Sequence, residues 1–429
     1  MFLPVLSIVI LVLLYLGVAM LFKPGYKKMS PDLTYNQLML EIMDILHPNA
    51  SMEEHLRERA EANQRLIRAL HISNTFVSAD TSVHKTFVGH ARLLLKGAQH
   101  RGWAHFQRIV AEAVEWQLSS PQPQHEQSHH IPLPPNQRKD KCFKFDSSIQ
   151  NITLVVVLVG ILQIDKPIQT LSHQDVTLVA ERITTLWRLS KKPGLIPPNL
   201  LTELTAHLRS LVPMNDVDDE LHFMQPLDFV IPTWETLWRV VATTVAYAHG
   251  DAVMRREFEA FNADPSEERF QRGGWEDRAH KADGVNVMGI VSETMRLHPP
   301  SKHIGRSKMK WRWCPSFLVN WIGQDMIKQT KHADIEKLLR CEIWGPDADE
   351  FKPARHRPGE SRPEHKSALA CVFGHGPLRC IASSWAPMAV GVISGIVLDQ
   401  LDSNGYVVHA GQAIGSREGW NDWVIKETQ

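Results

Sequence analysis

A mainly α fold with a minor β part is what this sequence predicts, and three observations carry the prediction. Apolar residues recur three and four apart over most of the chain, as in Leu66, Ile67 and Leu70. Alternating stretches are short and fall late, beyond Pro299. The 26 prolines and 24 glycines of the 429 residues imply many chain reversals but follow no repeat.

Taken in order, the first element is apolar. Residues Phe2 to Phe22 carry no charge, and as a helix this run spans ~31 Å, enough for a bilayer core. Lys23, Lys27 and Lys28 follow at once, which keeps the C-terminal flank in the cytoplasm. Because no basic segment precedes the run and no small-residue cleavage site follows it, the reading is an uncleaved anchor over residues 1–28 rather than a cleaved signal. Helical periodicity runs from Asp32 to Gln117, and Ser119 to Lys141, with its five prolines, reads as an exposed loop. Ile152 to Leu162 is too short to span a membrane and is a buried core element. Helices are expected over Ser172–Leu189 and Leu200–Leu211, with Pro193, Pro197 and Pro198 between them. Further helices are expected over Pro232–Ala248, Gly284–Leu297 and Ala382–Leu401, and a strand around Lys310–Trp313. No second boundary divides residues 29–429.

The charge balance narrows the function. Lys+Arg and Asp+Glu each number 47, so no overall positive field exists to hold nucleic-acid phosphates. Cys142, Cys314, Cys341, Cys371 and Cys380 are an odd set without C-x-x-C pairs, a poor disulfide or zinc framework. His125-Glu126-Gln127-Ser128-His129 matches H-E-x-x-H, but it lies in the proline-rich loop, without the helix that would place both histidines on one face. Asn49-Ala50-Ser51 and Asn151-Ile152-Thr153 are sequons, unused on a cytoplasmic face, and no nucleotide-binding glycine motif occurs.

Chemistry concentrates toward the C-terminus. Phe373-Gly374-His375-Gly376-Pro377-Leu378-Arg379-Cys380 precedes an apolar helical stretch. A cysteine just before a helix has its thiolate favoured by free N–H groups, and glycines let the backbone approach a flat ligand. Glu293-Thr294-Met295-Arg296 puts an acid and a base on one helical face, with Phe351-Lys352-Pro353-Ala354-Arg355 following. Pro232-Thr233-Trp234-Glu235-Thr236 sets an acid beside an alcohol.

These four pieces, in this order, resemble the cytochrome P450 family of haem-thiolate monooxygenases, with a flavour of the fungal secondary-metabolism members. The resemblance implies a P450-like fold behind a single N-terminal transmembrane helix. It makes Cys380 the axial ligand of haem iron, with Phe373, Gly376 and Arg379 around the haem. Arg306, ten residues after Arg296, and His84 become partners of the haem propionates, with Trp103 a competitor for the second role. Glu293, Arg296 and Arg355 become a structural ion-pair network, and Glu235 and Thr236 the pair that delivers protons to oxygen. The cofactor is haem b, with electrons from NADPH through a separate reductase, and the location is the endoplasmic-reticulum membrane with the catalytic domain on the cytoplasmic side. The substrate is an apolar small molecule, and Ser172–Leu211 is the lid over it. Leu378 stands where the family places a basic residue, and Pro232 and Thr233 replace Ala and Gly. A haem-thiolate isomerase or dehydratase without a reductase, and a non-catalytic haem-binding protein, remain alternatives.

Overall fold

A computed structural model describes residues 33–120, 141–212, 225–272, 285–309, 328–357 and 359–428. The first helices are α1 (Tyr35–Leu46), α2 (Met52–Leu70), α3 (Thr81–Arg101) and α4 (Trp103–Leu118). Strand β1 (Cys142–Lys144) leads into α5 (Phe145–Val156), followed by α6 (His173–Ser190), α7 (Pro198–Leu211), α8 (Leu227–Ala248), α9 (Ala252–Ala263), α10 (Glu267–Arg272) and α11 (Val287–Leu297). Strands β2 (His303–Met309) and β3 (Lys328–Asp334) precede a single turn, α12 (Ile335–Leu338). The chain closes with α13 (Pro363–Ala370), α14 (Ala386–Ser403), β4 (Tyr406–His409) and β5 (Val424–Glu427).

Four helices make the core. α5 and α14 each pack against both α4 and α8. α5 is the apolar run seen in the sequence, buried almost throughout and continuing as one wide π turn over Val157–Ile161. On α8 the buried Trp238 Nε1 has no partner among the described residues, although a buried indole usually finds one for its N–H. Trp234 of α8 does so by donating to Gln150 O of α5 at 3.0 Å. Around this bundle sit two small antiparallel sheets, β1–β5–β4 and β2–β3. β5 is the middle strand of the first, with Ile425 opposite both Phe143 and Val408. In the second, Arg306 lies opposite Lys331.

Several expected boundaries move. α8 starts at Leu227, five residues before Pro232, so the proline lies inside the helix. α11 starts at Val287, where Asn286 Oδ1 accepts from Gly289 N at 2.6 Å and caps it. α14 starts at Ala386, because Ile381 to Trp385 form turns before Pro387 enters the first helical turn. The strand expected at Lys310–Trp313, the anchor Phe2–Phe22, the His125–His129 motif and Cys314 lie outside the described residues. Among the described residues, no helix is long and apolar enough to cross a membrane. Asn151 is buried and donates to Thr177 Oγ1 at 3.0 Å, which closes that sequon to modification.

Candidate active site

The cysteine loop runs from α13 to α14 through two tight turns. Gly374 and Gly376 take φ of +76° and +68°, backbone that a side chain strains. At Gly376 a Cβ would also lie 2.8 Å from the His47 ring, so the loop packs directly onto the end of α1. Cys380 N donates to Phe373 O at 2.8 Å and closes the loop. Cys380 is exposed, yet burial by the surrounding walls pushes its thiol up, opposed by the backbone N–H of Ala382 and by Arg379. That combination describes a thiol at the floor of a recess. Cys371, by contrast, is buried, bonded through Sγ to Ser367 O at 3.4 Å, and pushed up to about 11.

A chain of basic residues leads away from this loop. The ring of His375 lies 5.7 Å from that of His47, which lies 6.1 Å from that of His55. Next come two buried arginines, Arg306 on β2 and Arg59 on α2, each 7 % exposed. Among the described residues Arg306 donates to Gly305 O alone, at 2.9 Å, and its Nε has no partner. Arg59 holds Thr75 through the carbonyl, at 2.6 Å, and through the hydroxyl, and its Nε is orphaned too. His84 Nδ1 reaches the same Thr75 hydroxyl at 2.8 Å, so the structure brings His84 to Arg59. Burial, then the charge of Arg306, lowers Arg59 to about 9. Two buried guanidiniums close enough to repel are costly unless an anion joins them, and the nearby Glu58 favours the charge of Arg306 but is shared with Lys308 at 3.1 Å.

The donor set fits haem: a thiol in a recess for the iron, and orphaned buried guanidinium N–H groups for the propionates. Cys380 would hold the iron, and Arg306, Arg59 and His84 the acid edge. Arg59 escaped the sequence reading, because in MEEHLRERAEANQRLIRAL it looks like one more charge on a solvated helix. Arg379 is placed differently from expectation. It is exposed and lines an outward groove of about 560 Å³ with Tyr35, Met39, Met43 and His375. Trp103 stacks on Trp385 at 5.5 Å, before α14, which leaves His84 the better placed of the two competitors.

On α8, proline in a helix removes the N–H that should serve the carbonyl four residues back. That carbonyl is Asp228 O, and Asn74 Nδ2 supplies the missing donor at 2.7 Å. The Asp228 carboxylate in turn accepts from Ser73 N at 2.9 Å and Ser73 Oγ at 2.8 Å. In the first half of the helix, Phe229, Pro232, Thr233 and Thr236 form an incompletely buried stripe. Thr233 donates to Phe229 O at 2.8 Å, whereas no hydrogen bond among the described residues engages the Thr236 hydroxyl. Glu235 departs from expectation. It is 2 % exposed, with Oε2 on Arg239 Nη2 at 2.9 Å and Oε1 on Arg417 Nε. Both oxygens are held by guanidinium groups, so the solvent-fed proton relay gives way to a clamped carboxylate.

The third group is complete. Glu293 and Arg296 are fully buried and meet through two bonds of 2.8 Å. Arg355 Nε reaches Glu293 at 3.1 Å, His356 Nε2 at 2.9 Å and Lys352 N at 3.0 Å. Burial raises the Glu293 carboxyl, but the bonds from Arg296 and His356 outweigh it and bring it down to about 2. Arg296 also donates to Leu339 O at 3.0 Å and Ala348 O at 2.6 Å, tying α11 to the segment before the cysteine loop. His356 was invisible as a partner, since only distance in space brings it to Glu293.

Comparison with known proteins follows the same line. No family profile matches the chain. The chain is 30% identical over 115 residues to cytochrome P450 714A2 of Arabidopsis thaliana, covering 27% of this chain and 21% of that one. It is 26% identical over 170 residues to cytochrome P450 72A552 of Barbarea vulgaris, covering 37% and 31%. It is 43% identical over 56 residues to benzoate 4-monooxygenase bphA of Aspergillus niger, covering 13% and 11%. The matches thus span less than a third of these relatives' lengths. Among solved structures, a mutant haem domain of cytochrome P450DA superposes with a TM-score of 0.53 at 15% identity, covering 86% of this chain and 80% of that one. The described chain has the cytochrome P450 fold.

Proposed function

We propose that this protein is a haem-thiolate monooxygenase that oxidises an apolar small molecule, with Cys380 as the iron ligand. The observation that carries the reading is the pairing of an open, loop-held Cys380 with the orphaned N–H groups of buried Arg59 and Arg306. Bound haem supplies dioxygen activation, which thiolate ligation favours. The chain's own residues do the rest. The Ala382 N–H favours the thiolate form of Cys380, and Arg59, Arg306 and His84 orient the acid edge of the cofactor. Thr236 Oγ1, free of the backbone, holds a proton for donation on the open face of α8. Glu235 fixes that stretch of helix rather than carrying protons.

The remaining parts of the reading are proposals of the same kind. Phe2–Phe22 anchors the chain in the endoplasmic-reticulum membrane with the catalytic domain cytoplasmic, electrons come from NADPH through a separate reductase, and the setting is secondary metabolism. The test is spectroscopic: the reduced, carbon-monoxide-bound protein should give the red-shifted thiolate band. Cys380→Ser should abolish it, while Cys142→Ser, Cys341→Ser and Cys371→Ser keep it. Loss of the band in one of those three, with Cys380→Ser unaffected, would sink the assignment.

One observation favours a second reading, a reductase-independent isomerase or dehydratase. With both Glu235 oxygens on arginines, no free carboxylate stands next to Thr236 to feed it protons. Reductase-driven NADPH use separates the two. Under the first reading Thr236→Val keeps NADPH consumption but diverts it to hydrogen peroxide; under the second the wild type consumes none.

A further inference from the structure

Residues 73–76, in the connection between α2 and α3, are tied to α8 on one side and to the buried basic residues on the other. On the α8 side, the Asp228 carboxylate accepts from Ser73 N, Ser73 Oγ and Asn74 N, the last at 3.3 Å, and Asn74 Nδ2 donates to the carbonyl that Pro232 leaves free. On the other side stands Thr75, 2 % exposed. Its carbonyl and hydroxyl oxygens both accept from Arg59 Nη2, which leaves Arg59 Nε without a partner among the described residues. Phe76 follows, with the Arg59 guanidinium carbon 5.2 Å from its ring centre, and its ring meets Phe87 edge-on at 6.0 Å. Phe87 stacks in turn on Phe229 of α8 at 5.1 Å. Two successive residues thus hold Arg59, and the segment that carries them is tied back to α8 by polar and aromatic contacts.

The Thr75 hydroxyl also decides the state of His84. A hydroxyl carries one proton, and a guanidinium can only donate to it. With Arg59 donating to its oxygen, Thr75 Oγ1 has its own proton left to give, and its acceptor among the described residues is His84 Nδ1 at 2.8 Å. A neutral imidazole that accepts at Nδ1 carries its proton on Nε2. Burial, then the charges of Arg59 and Arg92, holds His84 below its ordinary value, which keeps the ring neutral at neutral pH. One uncharged side chain therefore orients the guanidinium fork and leaves the imidazole a donor at Nε2.

We propose that Thr75 is a positioning residue for the cofactor's acid edge: it aims Arg59 and fixes His84 as an Nε2–H donor, while Asp228 holds the segment in place from α8. This goes beyond the monooxygenase reading and rests on it only for haem as the group received.

The experiment follows haem transfer from the loaded full chain to an excess of an acceptor protein. Thr75→Val keeps the shape and the carbonyl but removes the hydroxyl, and should speed haem release roughly tenfold. Thr75→Ser keeps the hydroxyl and should release haem within about twofold of the wild type. With Arg59→Met and His84→Phe combined, nothing remains for Thr75 to aim, so adding Thr75→Val there should change release by less than about twofold. A loss of general packing would persist in that background. Asp228→Asn acts from the α8 side by taking the acceptor of Ser73 Oγ, and it reads the same coupling should Thr75→Val fail to fold. It should speed release several-fold in the wild-type background and leave the double variant unchanged. Wild-type release in Thr75→Val, equal acceleration in the double variant, or release from Thr75→Ser as fast as from Thr75→Val would each overturn the proposal. Haem retention that depends on Thr75 in this way, without the thiolate carbonyl band, would sink the monooxygenase reading alone. A normal band with release unmoved by Thr75→Val and Asp228→Asn would sink this proposal alone, and a chain that takes up no haem would sink both.

Discussion

Arg306 is worth more as an anion receptor than as a structural residue. Among the described residues its hydrogen bond goes to the neighbouring Gly305 O and its Nε is orphaned, and it presses on the charge of Arg59 while drawing on Glu58, which Lys308 already holds at 3.1 Å. Removing it from the cofactor-free protein therefore gives up only a share of Glu58 and relieves a repulsion on Arg59, whereas a charged hydrogen bond lost from the loaded protein costs about 1.5–3 kcal/mol. Arg306→Met is expected to weaken haem retention by about 10–100-fold, while urea unfolding of the apo form shifts by less than ~1 kcal/mol. Haem transfer to an acceptor protein measures the first and a denaturation curve the second. Apo destabilisation with unchanged haem transfer would make Arg306 structural. The resemblance pointed to Arg306 by spacing and offered His84 in competition with Trp103, but nothing local marks Arg59. It is one of many charges on α2, and only the fold turns it inward.

At the scale of elements, α8 shows what local reading can and cannot see. Proline within a helical pattern reads as a start, which is why the helix is expected from Pro232. The carbonyl it orphans is served by Asn74, a residue far away in the chain, so the helix runs on from Leu227. The repair makes a measurable coupling. Asn74→Ala should cost roughly 1–3 kcal/mol, since a buried carbonyl loses its donor. Pro232→Ala supplies the N–H internally, so in that background the same change should cost at least ~1 kcal/mol less. Equal costs in the two backgrounds would mean that Asn74 acts through its other bond, from Phe76 N to its Oδ1 at 3.0 Å. The buried α5 segment and the helices of residues 172–211 were legible for the opposite reason: their apolar spacing is entirely local.

For the whole molecule, acid should act in two steps, because two groups on and just after α11 respond in different windows. His298 is held neutral by burial, down to about 4 from an ordinary 6.5, with Nε2 bonded to Tyr247 OH at 2.9 Å. A base with a depressed folded value binds its proton first in the unfolded chain, so stability falls as pH drops below 6.5 and levels near 4. Glu293 lies at about 2 against an ordinary 4.5, so the stability it contributes is whole above 4.5 and drains as pH falls toward 2. Each step amounts to no more than about 3 kcal/mol from its shift. The second is the more damaging, because protonating Glu293 releases Arg296, Arg355 and His356 together and frees the segment ahead of the cysteine loop. The expected profile is a gentle decline of unfolding free energy from pH 6.5, then a steeper loss below 4.5, accompanied by loss of the thiolate carbonyl band. His298→Gln should flatten the first decline and leave the second in place. An unaltered decline between pH 6.5 and 4 in that variant would remove His298 from the account, and retention of the band at pH 2.5 would break the link between the Glu293 network and the cysteine loop.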